Sequence, residues 1–361
     1  MKAVVACGDE AVLTKNRPKP KLRDDCVLVK VIAVALNPTD WKHLAGRLVP
    51  DGCLLGCDFA GYVEEVGKGV TKVYSKGDRV AGTVHGGHPS QPEDGAFAEY
   101  IVAKGDLCFQ VPRELPFEKA ATLPLGLATV MQGLYQKGLK MNLPDNPIKE
   151  DKALVLIYGG STATGALGIQ FARLISLDEL KRSGYTVVTT CSETNFEYVK
   201  SLGADHVLDC YNESPDQIGR QIREFTEDKL RLAWDLVSSS DSARACSEAL
   251  SSDGTGCRYA SFLANKSPRP EIVSVGTNMY TIWGESFRVG EQLEYPASRE
   301  DFDWGRRFMA SAEILISQGK LRPHREVAMP GGLAGVPDGL EKLKMGGVSA
   351  GKLVYRISDT P

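Results

Sequence analysis

The sequence predicts an α/β protein of two parts, a β-rich portion and a parallel sheet wrapped by helices. Three observations carry that expectation. The chain has 361 residues, more than one ordinary hydrophobic core serves. Its first hundred or so residues read as short β-branched runs punctuated by glycine and proline. From Ala153 onward strand-like and helix-like stretches alternate, which is the signature of a parallel sheet.

Taken in order, VLVKVIAVAL (27–36) is short and β-branched, and GYVEEVGKGV (61–70) alternates. DRVAGTV (78–84) and AFAEYIVA (96–103) follow the same style, so a barrel-like or sandwich-like domain is expected. EKAATLPLGLATVMQGLYQ (118–136) has helical periodicity, and MNLPDNPIKEDK (141–152) is a polar loop broken by proline. Then come a strand ALVLIY, a helix from about Ala163, a strand TVVTTC (186–191), a helix NFEYVKSL (195–202) and a short run HVLD (206–209). A polar helical segment (215–228), AWDLVS (233–238), a helix near 241–250 and RYASFL (258–263) continue the alternation. A helix (about 304–318), the β-like RPHREVAM, a helix (337–345) and a last strand KLVYRI (352–357) close the chain.

Composition narrows the function classes. The chain is 42% hydrophobic and 25% charged, as in a globular protein. A formal net charge of −3 gives no reason to expect a nucleic-acid binder. No apolar run approaches the roughly 20 residues needed to span a bilayer. MKAVVACGDE lacks the apolar core of a secretory signal, so a cytoplasmic protein without membrane contact is expected. Nine scattered cysteines without a C-x-x-C pair point to reduced thiols rather than a disulfide framework or a structural zinc lobe.

The stretch YGGSTATGALG (158–168) stands where a strand hands over to a helix. A nucleotide diphosphate needs close backbone approach and unpartnered N–H groups, and a helix N-terminus supplies both. Gly159 and Gly160 permit the turn, while Ser161, Thr162 and Thr164 bring hydroxyls. The spacing is not G-x-G-x-x-G, so the flanking strand and helix carry the argument. The second strand ends TTCSETNFEYVK. Ser192 at its tip and Lys200 beyond suit a 2′-phosphate better than a bare ribose, although Glu193 opposes this and Ser192 is equally a helix cap. NADPH is the expected cofactor.

The sequence resembles the medium-chain dehydrogenase/reductase superfamily through ALNPTDWK (35–42), LLGCDFAGYVEEVG (54–67), KGDRVAG (76–82), GAFAEYIVA (95–103), AATLPLGLAT (120–129), the glycine stretch and GKLVYRI (351–357). Within it, YGGSTATG followed by TTCSETNF is similar to the trans-acting enoyl reductases of fungal polyketide synthases, the lovastatin-pathway type. The resemblance implies a GroES-like catalytic domain from residues 1–124 and 305–361, and a Rossmann dinucleotide-binding domain from 125–304. It implies that Thr39, Asp40, Trp41 and Lys42 line the nicotinamide and that Thr129 stands near nicotinamide and substrate. It gives Ser161, Thr162, Ala163 and Thr164 to the pyrophosphate, and Ser192, Glu193, Thr194 and Asn195 to the 2′-phosphate. Phe262 and Leu263 match a backbone stretch near the nicotinamide, and Thr281, Ile282, Trp283, Gly284 and Glu285 a substrate-lining segment. Two departures stand out. Cys210 occupies the place of a tyrosine near the adenine, with Tyr211 following, and either residue is a candidate for the role. LDELKR (177–182) reads as a peripheral insertion.

Zinc-dependent relatives need a cysteine, a histidine and a further cysteine. Asn37 replaces the first cysteine and Cys57 the histidine; His85 and His88 form the one suggestive pair, without a third ligand. No catalytic zinc is expected. The chemistry left is reduction of a carbon–carbon double bond conjugated to a carbonyl, with Lys42 and Thr129 as the catalytic candidates and the proton donor unassigned. The resemblance further implies a thioester substrate on an acyl carrier protein. Arg258, Lys266, Arg269, Arg306 and Arg307 are candidate cations for a docking rim. The alternatives are a free-standing quinone or enone reductase and a binding partner without catalysis.

Overall fold

Cys26–Ala35 is apolar at nearly every position and buried along almost its whole length, as a strand covered on both faces must be. It pairs antiparallel with Asp58–Val66, with Tyr100–Lys104 and with the returning strand Lys352–Arg356. Two register shifts, at Leu28/Val29 and Val31/Ala33, bend it and curl the sheet. In the computed structural model, which describes residues 1–143, 153–174, 184–262, 265–290 and 293–361, this is a seven-stranded sheet. Its path runs Glu326–Met329, Lys352–Arg356, Cys26–Ala35, Asp58–Val66, Arg79–Thr83, Phe109–Gln110. The expected insertion 177–182, most of the 141–152 loop and Leu263 lie outside the described residues.

The chain divides into two compact units, Met1–Ala128 with Tyr280–Pro361, and Thr129–Met279. The return to the first unit therefore falls at Tyr280 rather than at residue 305. The reason is aromatic: His85 of the first unit packs against Tyr280, Trp283 and Phe287 at centroid separations of 4.4, 5.3 and 5.1 Å. Trp283 Nε1–H also donates to the carbonyl of Thr83 at 3.3 Å.

The second unit holds six parallel strands. Numbered along the chain, Leu154–Tyr158, Thr186–Cys191, His206–Asp209, Leu232–Asp235, Arg258–Ser261 and Val273–Gly276 lie in the spatial order 3-2-1-4-5-6. That is the doubly wound order, and it reverses between Leu154–Tyr158 and Leu232–Asp235. The sixth strand, Val273–Gly276, is not among the expected elements, because it is a short edge strand without alternating burial. The helix expected at 118–136 is instead three pieces. Phe117–Ala120 ends before Pro124, Pro124–Val130 restarts with proline in its first position, and Met131–Gln136 widens into a π-helical turn.

One buried pair ties the first unit together. Asp58 is fully buried, and Lys352 is 4% exposed. Lys352 Nζ donates to Asp58 Oδ2 at 2.5 Å, Asn37 Nδ2 to the same oxygen at 3.0 Å, and Leu125 N–H to Oδ1 at 2.8 Å. Asp40 is buried close by and accepts from Asn37 N–H at 2.7 Å. Burial, with Asp58 adding like charge, pushes the Asp40 carboxyl up to about 7.

Removing the cation while leaving its buried carboxylate should be severe. Lys352→Met is expected to destabilise the protein by about 3–5 kcal/mol, with part recovered by adding Asp58→Asn; urea or thermal unfolding of the three variants checks this. Asp40 has the opposite sense to an ordinary surface carboxylate. Between about pH 4 and about pH 7 the folded chain holds a proton there that the unfolded chain has lost, so this group's contribution falls as pH rises. Asp40→Asn should therefore gain in Tm relative to the parent on going from pH 5 to pH 8, and an unchanged difference would refute the assignment.

Candidate functional site

In the second unit the apolar strand Leu154–Tyr158 runs into helix Ala163–Arg173 through Gly159–Thr162. Gly159 has φ +91°, open to glycine at little cost. A Cβ on Gly160 would stand 2.0 Å from Thr189 Oγ1, which itself donates to the Ile157 carbonyl at 2.6 Å, so this backbone must stay bare. Thr162 is the helix cap: its hydroxyl accepts from Gly165 N–H at 3.0 Å and donates to the Gly159 carbonyl at 2.8 Å. Its hydroxyl is thus spent inside the turn, while Ser161 and Thr164 keep theirs. The N–H groups of Ala163 and Thr164 have no acceptor among the described residues, as the first turn of a helix dictates. Their partial positive charge makes this turn a cradle for an anion.

At the tip of the neighbouring strand, Ser192 Oγ accepts from Asn195 Nδ2 at 2.8 Å and lies 3.2 Å from Thr194 Oγ1. Three polar side chains are thereby gathered at one strand end; Glu193 beside them is exposed. Lys200 is not gathered with them, since its ammonium pairs with Glu197 at 3.1 Å on the exposed helix face. At the end of the next strand, Asp209 Oδ1 accepts from Tyr211 N–H at 3.2 Å. This turn sends Cys210 toward the core of the second unit and leaves Tyr211 77% exposed.

Asp235, at the point where the strand order reverses, was not singled out from sequence. It is fully buried and takes four donors: Val237 and Ser238 N–H at 3.0 and 2.9 Å, Ser242 Oγ–H and Tyr259 Oη–H both at 2.7 Å. Ser238 in turn accepts from Phe262 N–H at 3.2 Å. The serines three to seven residues after a strand-terminal aspartate are the available signal. Thr129 opens this unit and is 6% exposed.

In the first unit, helix Pro38–Ala45 begins with proline in its first turn and carries Thr39, Asp40, Trp41 and Lys42. Lys42 is exposed, with its ammonium 5.8 Å from the Trp41 ring centroid. Thr39 Oγ1 lies 2.7 Å from Tyr280 Oη and 3.3 Å from His43 Nε2. Cys57 Sγ is 3.8 Å from Tyr280 Oη. Burial holds this cluster neutral: it lowers His43 to about 4, pushes His85 well below its ordinary value and raises the Cys57 and Tyr280 groups well above theirs.

The 281–285 segment is mostly packed inside the first unit. Ile282 is fully buried against Gly305, Thr281 is hydrogen-bonded to Asp301, and Trp283 is 6% exposed. Glu285 is held by Lys104 and by Gln91 Nε2 at 2.8 Å, which leaves Gly284 and the half-exposed Glu285 as the open part of the segment. Among the described residues no group of three or more His, Cys, Asp or Glu is placed to hold a metal ion.

The cations expected on a docking rim mostly serve the fold. Arg258 donates to the carbonyls of Lys137 and Gly138, and Arg269 to those of Ser247, Leu250, Ser251 and Ser252. Arg306 pairs with Asp303 at 3.1 Å and Arg307 donates to its carbonyl at 3.0 Å. Lys266 alone of the five is exposed without such a partner among the described residues, and it lines a cavity of ≈ 680 Å³ with Arg220, Arg244, Asp216 and Glu248. No helix among the described residues is long and apolar enough to cross a membrane.

Comparison with known proteins bears on the fold and the family. Residues 23–113 match the alcohol dehydrogenase GroES-like domain. The structure of the CurK enoyl reductase superposes with a TM-score of 0.70 at 17% identity, over 98% of each chain. An alcohol dehydrogenase superfamily protein from Novosphingobium aromaticivorans does so at 0.74 and 23%, again over 98% of each. These likenesses establish the fold. The trans-enoyl reductase TOXD of Cochliobolus carbonum is 48% identical over 85% of this chain and 98% of its own length. The trans-enoyl reductase resD of Aspergillus sclerotiorum is 44% identical over 99% of this chain and 100% of its own. With a GroES-like unit, a 3-2-1-4-5-6 sheet and identity at that level from end to end, the chain belongs to the trans-enoyl reductases, oxidoreductases of the medium-chain dehydrogenase/reductase superfamily.

Proposed function

We propose that this protein reduces the carbon–carbon double bond of an α,β-unsaturated polyketide thioester, presented on the acyl carrier protein of a partner synthase, and that NADPH is the reductant. The observation that carries the reading is the turn Gly159–Thr164. Its bare backbone and unpartnered N–H groups fit a dinucleotide pyrophosphate, in a chain whose relatives bear the name trans-enoyl reductase.

Bound NADPH supplies the hydride that reaches the β-carbon. The chain's own residues bind and orient. Ser161, Ala163 and Thr164 offer N–H and hydroxyl donors to the pyrophosphate, while Thr162 holds the turn they stand on. Ser192, Thr194 and Asn195 offer donors to a 2′-phosphate, and Lys200 adds a cation once it leaves Glu197. Tyr211, with its ring open to solvent, is the group for the adenine, and inward-facing Cys210 is not. Thr39, Asp40, Trp41, Lys42, Thr129, Phe262 and Leu263 are the residues this reading assigns to the nicotinamide. Lys42 and Thr129 stabilise the carbonyl oxygen as negative charge moves onto it. Gly284 and Glu285 border the acyl chain, with Trp283 behind them.

The residues present do not fit zinc. The Asn37 carboxamide is committed to Asp58, burial holds the Cys57 thiol protonated, and the His85 and His88 rings meet at 4.2 Å, tilted, without a third ligand among the described residues. Lys266 and Arg220 offer cations to the anionic arm of a carrier protein in the cytosol.

The test is NADPH consumption with an α,β-unsaturated pantetheine thioester, run beside NADH and beside a simple quinone. Turnover of the thioester supports the reading, and oxidation by the quinone alone overturns it. Ser192→Asp is expected to weaken NADPH binding at least tenfold while changing NADH little, because two like charges would share one site. Lys42→Ala should lower kcat more than it raises KM, as loss of a contact made mainly in the transition state does.

A further inference from the structure

Ser238 is a serine in a conformation that favours glycine. Its φ is +56°, in the left-handed region, and it is buried. Four hydrogen bonds hold it there. Its N–H donates to Asp235 Oδ1 at 2.9 Å, and its hydroxyl donates to the Asp235 carbonyl at 3.1 Å. Its hydroxyl oxygen accepts from Phe262 N–H at 3.2 Å, and its carbonyl accepts from Asn265 Nδ2 at 2.5 Å. The chemistry of the groups fixes the direction of each bond, because an amide N–H only donates and a carbonyl or carboxylate oxygen only accepts. Glycine would reach this backbone without strain but could not supply the hydroxyl. The first two bonds are local to the turn that follows Leu232–Asp235, and the last two reach the turn that follows Arg258–Ser261. Ser238 therefore joins two turns that leave neighbouring parallel strands at their carboxyl ends. Strained residues held in this way by their neighbours cluster at functional sites.

The joined surface has a front. Val237 is 49% exposed, between the buried Leu236 and Ser238. Its Cγ2 stands 3.3 Å from the position a Cβ on Gly159 would take, so it lies beside the turn that fits a pyrophosphate. Ser192 and its polar neighbours follow Thr186–Cys191, which pairs with the opposite edge of the strand before that turn. Consider a dinucleotide with its pyrophosphate at the end of Leu154–Tyr158 and its 2′-phosphate toward Thr186–Cys191. Its other nucleoside must run toward Leu232–Asp235 and Arg258–Ser261, where Val237 and Phe262 stand.

We propose that Ser238 is a positioning residue for the nicotinamide half of the cofactor: its hydroxyl clasps the two turns into one wall, with Val237 as the apolar face on which the nicotinamide riboside packs. This rests on the NADPH reading. Asp235 sets the clasp by holding the Ser238 N–H, and is itself held by Ser242 and Tyr259. Without the hydroxyl, Phe262 N–H loses its acceptor and only the Asn265 tie is left between the turns. The adenosine half, served by other elements, is untouched.

Hydrogen exchange and two ligands test it. In the free protein the Phe262 amide is expected to be protected, and Ser238→Ala to speed its exchange about tenfold while the amides of Leu154–Tyr158 keep their rates; an unchanged Phe262 rate overturns the proposal. At saturating NADPH the parent should enhance and blue-shift the nicotinamide emission. Ser238→Ala, Ser238→Gly and Val237→Ser should each lose about half of that enhancement. Their affinity for 2′,5′-ADP, which lacks the nicotinamide half, should stay within about twofold of the parent's. Ser238→Gly relieves the backbone strain, so its Tm should exceed that of Ser238→Ala while its emission is no better. Emission that recovers along with Tm in Ser238→Gly, or 2′,5′-ADP affinity that falls in step with NADPH affinity, shows a role in stability alone and overturns the proposal. A parent that binds neither NADPH nor 2′,5′-ADP overturns the cofactor reading and this proposal with it. A parent that binds both, with variants that behave as the parent does, overturns this proposal alone.

Discussion

A carboxylate with no access to water must be met by donors on every side, and Asp58 is in that position. Its three partners come from widely separated stretches: Lys352 from the returning strand, Asn37 from the turn before a helix, Leu125 from the start of another. Satisfying one charge therefore fixes three segments at once. One of them, Asn37, is the residue from which the Thr39–His43 helix departs, so the placement of the Thr39 hydroxyl depends on an ion pair that never touches it. The pair is worth little as net stability compared with an apolar replacement, but it is costly to break, and that asymmetry is what makes it a register device.

The second unit repeats the arrangement. Asp235 has no ammonium partner and instead gathers four neutral donors around the loop that follows its strand. Through Ser238 it reaches the Phe262 backbone. In each unit a fully buried aspartate thus holds neighbouring loop backbone in place. His43 and Tyr280, beside Thr39, are kept neutral by burial.

Much of the second unit was legible in the sequence because its periods are local. Strand ALVLIY, the small residues of the turn and the apolar spacing after Ala163 each announce themselves within a dozen residues. The long helix at 118–136 failed at Pro124 and again at a π-helical turn, the first a readable signal that the apolar spacing outweighed. The junction at Tyr280 was not legible, since it is decided by rings packing on His85 nearly two hundred residues earlier. For the same reason Arg258 and Arg269 passed for surface cations until their carbonyl partners were seen. Residue types that bear chemistry could be named from the sequence; which of them are already engaged by a neighbour could not.

The first unit is built from both ends of the chain, with Lys352–Arg356 lying between Glu326–Met329 and Cys26–Ala35 inside its sheet. The second unit, Thr129–Met279, is one continuous stretch. On the ribosome the intervening unit can mature as soon as it emerges, whereas the amino-terminal strands must wait, with an unzipped edge, for a strand more than three hundred residues downstream. During that wait Asp58 has no counter-ion, so the nascent amino-terminal half is the portion of this molecule most dependent on chaperone protection.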